Sequence, residues 1–99
     1  MTIVEIAHYR LRQGADDAAL LAAEAEIQQA VGPSHPGYQG RELLKSADGT
    51  YVLIMRWENQ QAADSWNGTL FQSPAGPKLG ALVDPSSMSR ESLTALVPA

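Results

Sequence analysis

The longest uninterrupted run of large apolar residues in the chain is Tyr51-Val52-Leu53-Ile54-Met55, which continues into Arg56-Trp57. Such a run predicts a strand in the middle of a sheet, with both faces covered. Residues 3 to 11 are also β-rich, and their mixture of apolar and polar positions leaves both faces largely apolar, which predicts a second central strand. Residues 38 to 46 and 88 to 97 are more polar and read as edge strands. In the last of these, Leu93, Ala95 and Val97 fall on one face and Arg90, Ser92 and Thr94 on the other.

Between strands the period changes. Leu20, Ala23 or Glu24, Ile27 and Val31 recur at helical spacing behind Asp16 and Asp17, predicting a first helix over residues 16 to 31 that Gly32-Pro33 stops. Ala62, Ala63, Trp66 and Leu70 form the stripe of a second helix, N-capped by Asn59 and ending near Asn67-Gly68. Pro74, Gly76, Pro77 and Gly80 predict a broken segment over residues 67 to 83, with a short helical piece at 78 to 83. Ala47-Asp48-Gly49 supplies the positive φ of a hairpin turn between the second and third strands.

The order of elements is thus β-α-β-β-α-β, a ferredoxin-like α+β fold whose antiparallel four-stranded sheet has the spatial order 4-1-3-2. Right-handed crossovers put both helices on one face. Apolar residues of both parities between Tyr51 and Met55 then require a cover for the other face, and a second copy of the chain is the simplest one, predicting a homodimer.

Composition narrows the function. With 99 residues, a single domain over 1–99 is expected. A net charge of -4 argues against nucleic acid or an anionic membrane as partner. The absence of cysteine removes disulfides, thiolate metal sites and a Cys nucleophile, and the start Met1 to His8 reads as a first strand, not a signal peptide. A cytoplasmic location is expected. No phosphate-binding loop, nucleophile elbow or zinc-protease motif is present, and the two histidines, with no carboxylate at ligand spacing, define no metal site.

Ala7-His8-Tyr9-Arg10-Leu11-Arg12-Gln13-Gly14, Pro36-Gly37-Tyr38, and Tyr51-Val52-Leu53 followed by Arg56-Trp57-Glu58-Asn59-Gln60-Gln61-Ala62 together resemble the antibiotic biosynthesis monooxygenase (ABM) family of dimeric α+β barrels. The resemblance spans nearly the whole chain, mostly at scaffold positions. It implies a homodimer with a hydrophobic cavity between sheet and helices. It also implies oxygenation of a quinol or polycyclic phenol by dioxygen, without metal, haem or flavin. The family's characterised oxygenases pair the helix Trp, here Trp66, with an Asn one turn earlier and a Tyr shortly after; Ala62 and Gln72 stand at those places. The haem-degrading branch uses an Asn on the first strand and a His beyond the Trp, whereas this chain has no Asn before Asn59 and no His after His35.

The candidate catalytic residues are Trp66, which either fills the core or floors a cavity, and His8, whose titration suits a base for a phenolic proton unless its parity with Val4, Ile6 and Arg10 turns it to the dimer face. His35 reads as a surface loop residue. Tyr9, Tyr51, Met55, Phe71 and Arg90 are the candidate substrate contacts, the tyrosines as hydrogen-bond donors and Arg90 as an anchor for an oxygen at the mouth. Arg56 and Arg90 are otherwise expected to pair with Glu5, Glu42 or Glu91. The competing function is a non-catalytic small-molecule-binding or interaction module on the same barrel.

Overall fold

A computed structural model describes residues 1–97; Pro98 and Ala99, the end of the expected domain, lie outside the described residues. The chain runs β1 (Ile3–Tyr9), α1 (Asp17–Glu26), α2 (Gly32–Ser34), β2 (Tyr38–Lys45), β3 (Tyr51–Trp57), α3 (Gln60–Gln72), α4 (Ala75–Leu82) and β4 (Ser89–Thr94). The sheet is antiparallel with order β2-β3-β1-β4, the ferredoxin-like arrangement. β1 and β3 occupy the centre because they supply the most apolar side chains to both faces. Among the described residues no helix is long and apolar enough to cross a membrane.

Strand parity divides the molecule. Ile3, Ala7 and Tyr9 of β1 and Tyr51, Leu53, Met55 and Trp57 of β3 are buried beneath the helices. Val4, Ile6, Val52 and Ile54 point to the opposite face and are only half-buried, and Leu44 and Leu93 beside them are exposed. The register aligns Leu44 with Val52 and His8, and Ile54 with Ile6, across three strands.

The helices are longer than their glycines and prolines suggest. Asp16 caps α1 by accepting from the Ala19 N–H at 2.9 Å. The helix does not stop at Gly32; a π turn over Ile27–Val31 leads into the last turn, α2, and the chain leaves only at His35. Gly32 has φ -57, so it is no left-handed cap. Its lack of a side chain serves packing instead, because a Cβ there would stand 2.6 Å from Cζ of Tyr38.

Asn59 caps α3 as its position suggests, accepting from the Ala62 N–H at 2.9 Å. Asn67-Gly68 does not end that helix, which continues to Gln72, since Trp66 and Leu70 gain burial on the sheet by remaining helical. The expected broken segment is α4, in which Gly76 and Pro77 occupy the first turn, where a missing N–H costs no hydrogen bond. α4 packs on both α1 and α3. β1 is shorter than expected, Leu11 making only an isolated bridge to Val83, and β4 ends at Thr94. The hairpin turn is as its sequence indicates, with Gly49 at φ 89.

Candidate functional site

Two indoles and a histidine are packed where α3 meets β3. Trp57 and Trp66 lie 5.1 Å apart between ring centroids, and His35 meets both edge-on, at 5.6 and 5.4 Å. Tyr38 stacks on Trp66 from the other side at 6.0 Å. His35 is therefore a core residue at 5% exposure, not a surface one. Its ring is fully partnered. Nε2 faces the Ala62 carbonyl at 2.9 Å, which can only accept, so Nε2–H donates, and Nδ1 accepts from the Thr69 hydroxyl at 2.8 Å. This histidine ties α2 to α3 and reaches no open space.

Beside Trp66 lies a cavity of about 280 Å³ between the helical face of the sheet and the inner sides of α3 and α4. Its walls are Ala7, Leu53 and Met55 from the sheet, Trp66 and Leu70 from α3, and Leu79 and Val83 from α4 and its end. Phe71, Met88 and Arg90, all exposed, stand where it opens along β4. Asn67 also lines it, although its helix position appears peripheral from sequence.

Two polar groups end the cavity. Tyr9, 2% exposed, stacks on Tyr51 at 5.6 Å, and its hydroxyl is buried with no hydrogen-bond partner. An unpartnered hydroxyl of this kind costs about 1–3 kcal/mol. Burial, reinforced by the negative charge of Glu24, pushes the Tyr9 phenol well above its ordinary range, so it stays a protonated donor. The second group is Arg41, whose side chain is 1% exposed. Glu24 on α1, 4% exposed at the side chain, holds it by a two-pronged contact, Nε to Oε2 at 2.7 Å and Nη2 to Oε1 at 2.8 Å. Nη1 meets only the Met55 sulfur, at 3.1 Å.

Trp66, Tyr9, Met55, Phe71 and Arg90 are thus brought to one cavity. Two other candidates are not. His8 is exposed on the opposite face of the sheet, as alternation from the buried Ala7 and Tyr9 requires. Tyr51 has the correct parity, but its hydroxyl donates to Asp17 at the start of α1, beside Lys45, and it lies behind Tyr9 outside the lining. The ion pairs expected of Arg56 and Arg90 do not form; among the described residues the pairs are Arg10–Asp48, Arg41–Glu24, Lys45–Asp17 and Lys78–Glu26. Arg41 and Glu24 went unrecognised from sequence. The only available signal was a glutamate falling on the apolar stripe of the first helix.

A ferredoxin-like sheet with a largely apolar cavity under its second long helix defines a class of small α+β domains. A family model described as antibiotic biosynthesis monooxygenase matches residues 2–72, and the chain belongs to that family. Among solved structures, it is similar to Rv0793 from Mycobacterium tuberculosis, with 25% identity, 100% of this chain and 99% of that chain covered, and a TM-score of 0.73. It is similar in fold to SnoaB, a cofactor-independent oxygenase from Streptomyces nogalater, at 20% identity, with 98% and 95% of the two chains covered and a TM-score of 0.75. PA3566 from Pseudomonas aeruginosa is similar in fold at 15% identity, with 97% and 95% covered and a TM-score of 0.68. None of the curated proteins matches this chain.

Proposed function

We propose that this protein is a cofactor-independent monooxygenase that oxidises a quinol or polycyclic phenol with dioxygen, working as a homodimer. The observation that carries the reading is the cavity beside Trp66, apolar along its walls and ending in buried hydrogen-bond donors. An electron-rich phenolate can itself reduce dioxygen by one electron. Recombination at a ring carbon gives a peroxide, and loss of water leaves one oxygen atom on the ring as a quinone carbonyl. The ring loses two hydrogens and four electrons and dioxygen accepts them, so no external reductant enters the balance.

The protein's part is to exclude water, orient the ring and steady the anion. Trp66, Leu53 and Leu70 offer apolar contact to a planar ring, and Tyr9 and Arg41 offer donors to its oxygen. A cavity of about 150 Å³ takes one benzene. The present one, about 280 Å³, has room for roughly two fused rings, so the smaller members of the substrate class fit best.

The test is dioxygen consumption with a panel of hydroquinones, naphthols and anthrones that includes members acidic enough to be ionised at the assay pH, in metal-free buffer. Uptake above the spontaneous rate is expected for at least one, falling about tenfold or more in Trp66→Phe with the circular dichroism unchanged. No uptake above background across the panel contradicts the reading. A non-catalytic binding module is the second reading, favoured by Ala62, which packs against Gly37 and is absent from the cavity lining, where the family's oxygenases place an Asn.

A further inference from the structure

The ionisable lining of the cavity is one-sided: it consists of Tyr9, Arg41 and Arg90, with no Asp, Glu or His among the lining residues. Glu24, the nearest carboxylate to Arg41, has both oxygens engaged by the guanidinium. The cavity therefore has donors at its inner end and no free group to act as a base. Arg41 carries five N–H bonds, and the two on Nη1 have only a thioether sulfur for company, a weak acceptor. Beside it the Tyr9 hydroxyl is unpartnered. The Arg41–Glu24 pair is neutral as a whole, but the Nη1 N–H groups of Arg41 and the Tyr9 O–H are buried donors short of acceptors, and together they form a receptor for a single negatively charged oxygen.

We propose that the cavity selects aromatic ligands that arrive already ionised, as an acidic phenolate or an aromatic carboxylate, and that Tyr9 and Arg41 Nη1 donate to the anionic oxygen while Glu24 positions the guanidinium. This rests on the cavity's being the ligand site of the oxygenase reading, and it narrows the substrate class: a phenol of ordinary acidity finds no base here to ionise it. Arg90, exposed at the mouth, is left to steer the approach of an anion.

The test is calorimetric titration of the whole chain with 2-naphthoate and its neutral isostere 2-naphthamide. The wild type should bind naphthoate at least about tenfold more tightly, the strength of a charge-assisted pair of hydrogen bonds. Tyr9→Phe should narrow that preference, and Glu24→Leu with Arg41→Met, which removes the cation and its partner together, should abolish it. If the double variant fails to fold by circular dichroism, Tyr9→Phe decides. Equal affinities in the wild type, or a preference untouched by Tyr9→Phe and by the folded double variant, would each overturn the assignment. Dioxygen plays no part in the titration. Selective binding without dioxygen uptake would uphold the anion site and remove the oxygenase reading.

Discussion

Arg41 and Glu24 show how much a single side-chain pair contributes in this protein. Each is almost wholly out of water, and each neutralises the other. Replacing Glu24 with Gln leaves a guanidinium buried without a counter-charge, a change that costs about 3–5 kcal/mol. A urea midpoint lowered accordingly, at unchanged slope, is the expected result. Replacing the pair together with Leu and Met should return stability to within about 1 kcal/mol of wild type. Neither role was legible from sequence. Arg41 sits in a polar edge strand, where an arginine ordinarily meets solvent, and its burial depends on α1 crossing above β2. The sequence places His35 at the surface for a related reason: its flanking Ser34 and Pro36 look like surface loop, but the ring turns inward to the Ala62 carbonyl and Thr69. By contrast, the stripe of Ala62, Ala63, Trp66 and Leu70 could be read directly, and all four are buried.

At the scale of the element, the segment after Trp66 holds the largest difference between pattern and structure. Its glycines and prolines predict interruption, yet two helices meet there, α3 ending at Gln72 and α4 beginning at Ala75. The glycines serve contact. A Cβ on Gly76 would lie 2.5 Å from the Leu70 carbonyl oxygen and 2.8 Å from Cα of Phe71, backbone atoms that cannot turn aside. Gly80, one turn on, has only Cε1 of Phe71 at 3.8 Å. The two positions should therefore respond with opposite sign. Gly76→Ala is expected to lower stability by about 1–3 kcal/mol despite its helix preference. Gly80→Ala should gain up to about 1 kcal/mol. Thermal melts of the two variants check this directly, and equal responses would mean that helix propensity alone governs α4. The strands were more legible than the helices because alternation on a sheet is read locally, whereas close helix approach involves residues that carry no side chain.

On the scale of the whole molecule, the sheet order follows from the apolarity of β1 and β3, and the placement of helices on one face from right-handed crossovers. The same two strands leave Val4, Ile6, Val52 and Ile54 incompletely covered, next to the exposed Leu44 and Leu93. The proposed homodimer would cover this patch. Equilibrium sedimentation is expected to give twice the 10.6 kDa mass of the chain, and Ile54→Lys, which puts a charge at the middle of the patch, to shift it toward the single-chain value. A stable single chain at micromolar concentration would remove the homodimer. The cavity lies on the other side of the sheet, so loss of the homodimer alone would leave the oxygenase reading standing. The most direct test of the oxygenase itself is to supply isotopically labelled dioxygen to the wild-type protein with a naphthol acidic enough to be ionised at the assay pH and weigh the quinone by mass spectrometry. One labelled oxygen atom in the product, formed at a rate that Trp66→Phe reduces, is the predicted result; quinone formed only at the protein-free rate would contradict it.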